Sequence, residues 1–411
     1  GNGTQFIVGS SGPSTMTQSA GLVDVQQGYT WVGEAPGATT ATYTISGTAE
    51  FRSSLISVGP ESPNATLNLN GGTVRTRKFL GSRDENSGAT SGTGTVNFNG
   101  SQIIATASND NFIATSLDNA VIGTGGLLVD SNSFTLGAPK GLSGTGGVVK
   151  TGAGKLSLIG LNSYTGNNTV NAGELVLSSS GSGTGDITIA DSTALGVSAS
   201  VFVGDQLQSA NVALGTTAAG TTLNFNIGNV SGTNPSTSIL DVTGNLSTPG
   251  NVVVNVAGSQ FQAANLPLVT YNAATRTGAG VFTLGTLPNG VVATIVDDPN
   301  FFGPNQGLVY LNITSVALPK WDGSDSVKYA KIGDISTGLF DVLVTDATNI
   351  AIGQKAVGAG IPTGALVTAI SGLTITLDQA ATATSVASPI TFTAATGSND
   401  GVWDINTTQN W

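Results

Sequence analysis

The chain is 411 residues long, with 24 acidic and 13 basic residues, a net charge of −11, and neither cysteine nor histidine. That inventory excludes disulfides and thiolate metal sites, removes the commonest acid–base side chain, and leaves no basic footprint for nucleic acid. Only 9% of the residues are charged and 58 are glycine, against roughly 25% charge in ordinary soluble domains. Polarity comes instead from Ser, Thr, Asn and Gly, which suit turns and strand faces and suit helices poorly.

No run of about 18 apolar residues marks a membrane-crossing helix. The opening "GNGTQFIVGS" has no basic start and no apolar core of a signal peptide. Together with the abrupt "TTQNW" at the end, it reads as a piece trimmed from something longer.

Three early stretches resemble one another: "ATYTISGTAEFRSSLISVG" (41–59), "ATLNLNGGTVRTRKFLG" (65–81) and "GTVNFNGSQIIATAS" (94–108), starting 24 and 29 residues apart. Periods of that size mark solenoids or arrays. Tyr43 and Ile45, Leu67 and Leu69, and Val96 and Phe98 alternate with polar residues, so each pair faces one way along a strand. Gly47, Gly71 and Gly100 follow as corners where φ can turn positive. Stacked units of this kind bury a common core, and Asn68 over Asn97 predicts a polar ladder on the outside.

Five of the 13 basic residues fall here: Arg52, Arg75, Arg77, Lys78 and Arg83. The plain expectation is a solvated face; the sharper one is a docking patch for an acidic partner, such as another copy of this acidic chain. "DNAVIG" (118–123) is the one place where a turn of helix is expected.

Residues 146–177 read "GGVVKTGAGKLSLIGLNSYTGNNTVNAGELVL". Leu156 and Leu158 alternate with Lys155, Ser157 and Ile159; two more short strands follow, with corners at Gly160, Gly166 and Gly173. Tyr164 is expected to pack its ring at a corner with the hydroxyl near water. The segment resembles the autotransporter-associated β-strand repeat, also called the passenger-associated transport repeat. The resemblance is carried by Lys150, Thr151, Gly152, Gly154, Leu156 and Leu158, by Asn162, Tyr164, Thr165 and Gly166, and by Thr169, Val170, Asn171, Gly173, Leu175 and Leu177. It implies a right-handed parallel β-helix in an exported bacterial surface protein with a structural or adhesive role, and it supplies no catalytic residue. No terminal membrane barrel accompanies it here.

Residues 178–319 stay β-rich and read as further coils with looser spacing. Composition changes near "LPKWDG" (318–323), which sets a boundary at 320. "WDGS" and "GVWDINTTQNW" resemble Trp-containing linkers that flank modules of repeat-rich bacterial surface proteins. Between them lie some six short strands, expected as a small β-sandwich or barrel similar to modules of phage-tail and surface proteins.

Carboxylate pairs at Asp84/Glu85, Asp297/Asp298 and Asp322/Asp325 could serve glycoside hydrolysis or hold calcium, but turn acids explain them better, and no calcium-loop pattern occurs. "GAGK" (152–155) lacks the spacing of a phosphate loop. Trp31, Trp321, Trp403 and Trp411 could stack on sugars or dock on a neighbour.

The reading is thus an all-β protein: a right-handed β-solenoid over 1–319 and a small β-domain over 320–411. No catalytic, metal or cofactor residue is assigned. The function expected is a non-catalytic, extracellular structural protein of a bacterial surface. It would assemble head to tail through uncapped ends, with Trp321, Trp403, Trp411, Arg75, Arg77 and Lys78 as contacts. The alternative is an adhesin that presents the C-terminal domain to host or matrix glycans on a solenoid stalk.

Overall fold

The computed structural model describes residues 5–85, 91–180, 185–199, 205–230, 233–316, 328–348, 350 and 352–393. Every regular element among them is a strand. The chain divides into two compact units, Gly1–Val316 and Ala317–Trp411.

The first unit is a parallel β-solenoid. Its early coils show how the sequence makes corners. Ala41–Val58 is continuous but serves three faces. Residues 41–47 pair in register with 65–71 and residues 50–52 with 73–75, while 55–57 pair with 78–80. The first bend falls at Gly47, whose φ is 58°, in line with the expectation for that corner and for Gly71 and Gly100. Tyr43, Ile45, Leu67, Leu69, Val96 and Phe98 are all buried. On the outer side Asn97 donates to Asn68 Oδ1 at 2.8 Å and Asn68 donates to Thr44 Oγ1 at 3.2 Å, which is the expected ladder.

Residues 119–122 are a strand and not a helical turn. Asn119–Ile122 pairs in parallel with 95–98, because Ala120 and Ile122 land on Val96 and Phe98 and share their inward face.

From residue 135 the third face becomes a separate 7-stranded sheet. Leu136, Leu156, Leu175, Leu195 and Leu223 are register partners in turn, and all are fully buried. A buried leucine side chain contributes about 1.5–3 kcal/mol through lost apolar exposure, so this column is the spine of the unit. Coil length varies around it. Side chains bridge neighbouring coils at a sequence separation of 19 residues at Asp186–Asn167 and of 34 at Asn245–Asn211.

The last stretch of the unit departs from the expected coils. Asn265–Asn272 pairs in parallel with Leu240–Val242 on one side but antiparallel with Gln306–Val316 on the other. Val291–Asp298 then pairs antiparallel with Gln306–Val316. Ala293, Val309, Leu311 and Ile313 of this hairpin belong to the solenoid core, with Val291 and Ile295 packed against it. The solenoid is therefore capped at this end, where no cap was expected. The cap is a β-hairpin, so it does not show as a polar amphipathic segment.

The second unit is a six-stranded antiparallel sheet. A bridge between Lys355 and Leu366, with hydrogen bonds from Gly353 N to Val367 O and from Val367 N to Gln354 O, joins its two edge regions. The sheet closes on itself as a small barrel around Ile335, Val342, Ile375, Ile390 and Phe392. Closure removes free strand edges, the usual hazard of a small sheet.

Candidate functional site

The repeat segment holds the most unusual group of the molecule. Lys150 lies on Val148–Thr151 in register with Val129 below and Val170 above, so its side chain points into the aliphatic core and is fully buried. An ammonium there needs acceptors, since an unpaired buried charge is very unfavourable. Three backbone carbonyls supply them: Nζ donates to Thr151 O at 2.8 Å, Gly152 O at 2.8 Å and Ala172 O at 3.1 Å. These carbonyls sit at the corners of two successive coils, so one amine ties both. Burial pushes the amine down to about 8, against the opposing pull of the Asp130 and Glu174 carboxylates.

The next corner is held in the same way. Asn162 accepts from Leu142 N at 3.0 Å and donates to Leu158 O at 3.2 Å. Tyr164 differs from expectation: it is fully buried, and its hydroxyl donates to Asn168 Oδ1 at 2.7 Å. The neighbouring coils cover the corner, so the hydroxyl takes an internal partner in place of water. Gly173 closes the turn with φ at 70°; a Cβ there would lie 2.1 Å from Gly154 O of the coil beneath. The regular spelling of the segment is a list of inward leucines, internal donors and close contacts between coils.

The basic residues of the early coils do not form a free patch. Glu50 receives Arg52 Nε at 2.8 Å and Arg75 Nε at 3.0 Å. Arg77 grips both oxygens of Glu85, at 2.9 and 2.8 Å, and Lys78 reaches the same carboxylate at 3.5 Å with its side chain only 10% exposed. Arg83 pairs with Glu34 at 2.9 Å and covers the ring of Trp31. Hydrogen bonds from Arg52 and Arg75 hold Glu50 below the usual carboxylate range. Burial raises Glu85, yet Arg77 and Lys78 outweigh it and the net shift is downward. A neighbouring coil thus supplies the acid for Arg75, 25 residues away, whereas Arg77 and Lys78 meet Glu85, which lies 8 and 7 residues on in the chain. Trp31 is buried, with its indole nitrogen donating to Arg83 O at 2.8 Å, so it is no sugar platform. Trp321, Trp403, Trp411, Asp322 and Asp325 lie outside the described residues.

Both carboxylates of the pair at 297 and 298 have structural partners, Asp298 accepting from Asn300 N at 2.9 Å. Asp297 of the capping hairpin takes Tyr271 and Arg276 of the last coil, and Arg276 also lies over the Tyr271 and Phe282 rings. Among the described residues no group of three or more acids could hold a metal ion.

Outside the third face a chain of polar contacts crosses several coils. Lys155 Nζ lies 3.5 Å from Glu174 Oε2. Asn224 donates to Glu174 Oε1 at 2.8 Å, Asn255 donates to Asn224 Oδ1 at 2.8 Å, and Thr286 N donates to Asn255 Oδ1 at 2.7 Å. Glu174 passes over the intervening Gly196, where a Cβ would lie 3.0 Å from its Oε1. The sequence offered one signal for these sites: period-two alternation from Val148 places Lys150 inward.

With that geometry in view, residues 148–177 match the family model of the passenger-associated-transport-repeat. The segment is a repeat of autotransporter passengers, and it implies secretion to the bacterial cell surface or the extracellular space. No curated protein and no solved structure matches the chain.

Proposed function

We propose that this chain is a non-catalytic structural protein of the bacterial exterior, in which a finite β-solenoid serves as a stiff stalk and the barrel module as a second functional part. The observation that carries the reading is the unbroken inward column from Leu136 to Leu223, with the polar groups of the repeat spent on holding coils together. Such groups are committed to the fold and are not poised for chemistry. The capping hairpin favours a finite stalk over an end-to-end fibre, because an antiparallel cap offers no continuation of the parallel coils.

Electron microscopy of the purified chain over a concentration series tests this. Particles of one uniform size support the stalk. Filaments that lengthen with concentration would replace it with the self-assembling fibre, in which surfaces other than the capped end make the contact.

A further inference from the structure

The outer side of the third face is concave. Val176 points outward from it yet is 8% exposed, and Ser178 is 6% exposed. The groove has a volume of about 510 Å³ and runs across the strands, parallel to the solenoid axis, from Leu136 to Thr286. Its central floor row is Gly137, Ser157, Val176, Gly196, Asn224 and Asn255, each the register partner of the next.

We propose that this groove binds an unbranched, uncharged polysaccharide laid along the solenoid axis. The proposal rests on the stalk reading above and adds a ligand class to it. Three features of the lining select that class. First, its charged groups are Lys155, Glu174 and Asp110, one cation against two carboxylates, on a chain of net charge −11; a polyanion is repelled. Second, the floor is the face of a sheet whose backbone groups are paired to strands on both sides, so an extended peptide finds no strand edge to join. Third, the polar groups left over are those that suit hydroxyls. Among the described residues the Ser157 and Ser198 hydroxyls have no hydrogen-bond partner; Asn224 and Asn255 each use one of two amide protons; and the Lys155 side chain is 41% exposed. These groups sit on strands stacked about 4.8 Å apart, close to the length of one pyranose unit, with Val176 and Gly196 interrupting the floor row between Ser157 and Asn224. Without an aromatic platform each sugar is held weakly, and affinity grows with the number of units engaged.

The test is affinity electrophoresis of the full chain through gels containing hydroxyethyl cellulose, mixed-linkage β-glucan or pullulan, with polygalacturonate as the charged control. At least one neutral polymer is expected to retard the protein. Ser157→Arg and Ser198→Arg, which fill the groove from its floor, are expected to weaken that retardation about tenfold or more. Thr188→Arg, outward on another face, is expected to leave it unchanged. Lys155→Gln, at an exposed side chain, gives a partial loss and serves if the arginine variants fail to fold. No retardation by any neutral polymer, equal retardation of the groove variants, or a preference for polygalacturonate overturns the proposal. Shortening of a bound polymer would instead overturn the non-catalytic reading and leave the groove assignment standing.

Discussion

The coils of the repeat and the coils that precede them are tied together with different balances of inner and outer contacts. Around residues 148–177 the coils are short, and their polar groups point inward: Lys150, Asn162 and Tyr164 bond to backbone or to Asn168 out of reach of water. The early coils also have internal donors, Tyr43 to Gln18 and Gln18 to the Gly21 and Glu50 carbonyls, but they add charge pairs outside, between Glu50, Arg52 and Arg75 and between Arg77 and Glu85. In both regions backbone carbonyls near the corners take an internal side-chain donor, Lys150 in the repeat and Gln18 in the early coils. The longer early coils carry charge pairs on the outside as well, as between Arg75 and Glu50. The first kind of tie is shielded from salt; the second is not.

The strongest way to break the contrast is Leu175→Ala. It empties the middle of the leucine column and is expected to lose about 2–5 kcal/mol, read as a lower midpoint in urea; an unchanged midpoint would show that the column is not the spine. Next comes Lys150→Ala, which strands three carbonyls and removes the tie between coils. We expect about 2–3 kcal/mol and faster amide exchange at residues 151, 152 and 172. Exchange confined to the early coils would refute the assignment.

The sign of the pH response sharpens the comparison. The folded state holds the Lys150 amine near 8, below its ordinary 10.5. Between those values the unfolded chain binds more protons, so stability should rise with pH. Above 10 the trend reverses, because burial raises the Tyr43, Tyr164 and Tyr271 hydroxyls above their ordinary value of 10.0 and the folded state then holds more protons. Urea midpoints measured from pH 7 to 11 should trace this rise and fall, and Lys150→Met should abolish the rise alone. A rise that survives in the variant would mean that another group carries it.

The smallest effect is expected for Arg77→Ala. Its pair with Glu85 is about one-third exposed and is worth about 0–1 kcal/mol, and the loss should fade in 1 M salt. A large, salt-independent loss would erase the distinction between the two regions.

Much of this was legible in the sequence because two signals are strictly local. The alternation at Tyr43/Ile45, Leu67/Leu69 and Val96/Phe98 set the inward face, and the spacing of Asn68 and Asn97 set the ladder. What stayed hidden depends on partners remote in sequence. Arg75 meets Glu50 at a separation of 25 residues and Asn224 meets Glu174 at one of 50, distances that only the coil length fixes. The hairpin at 291–316 carries the same β-type residues as a coil, and nothing local distinguishes an antiparallel partner from a parallel one. At 118–123, stacking on Val96 and Phe98 decided for strand what the six residues alone left open.

The commitment of the solenoid's cations has a consequence for survival outside a cell. A protease that cuts beside lysine or arginine must draw an extended segment into its cleft, yet Lys150 is sealed in the core and the arginines are held in ion pairs. Among the described basic residues of the solenoid, Lys140 alone has no hydrogen-bond or ion-pair partner for its side chain, and it stands just after the strand Thr135–Ala138. Trypsin should therefore nick the folded solenoid first at that corner. The two pieces should stay together, held by the parallel ladders on either side of the cut.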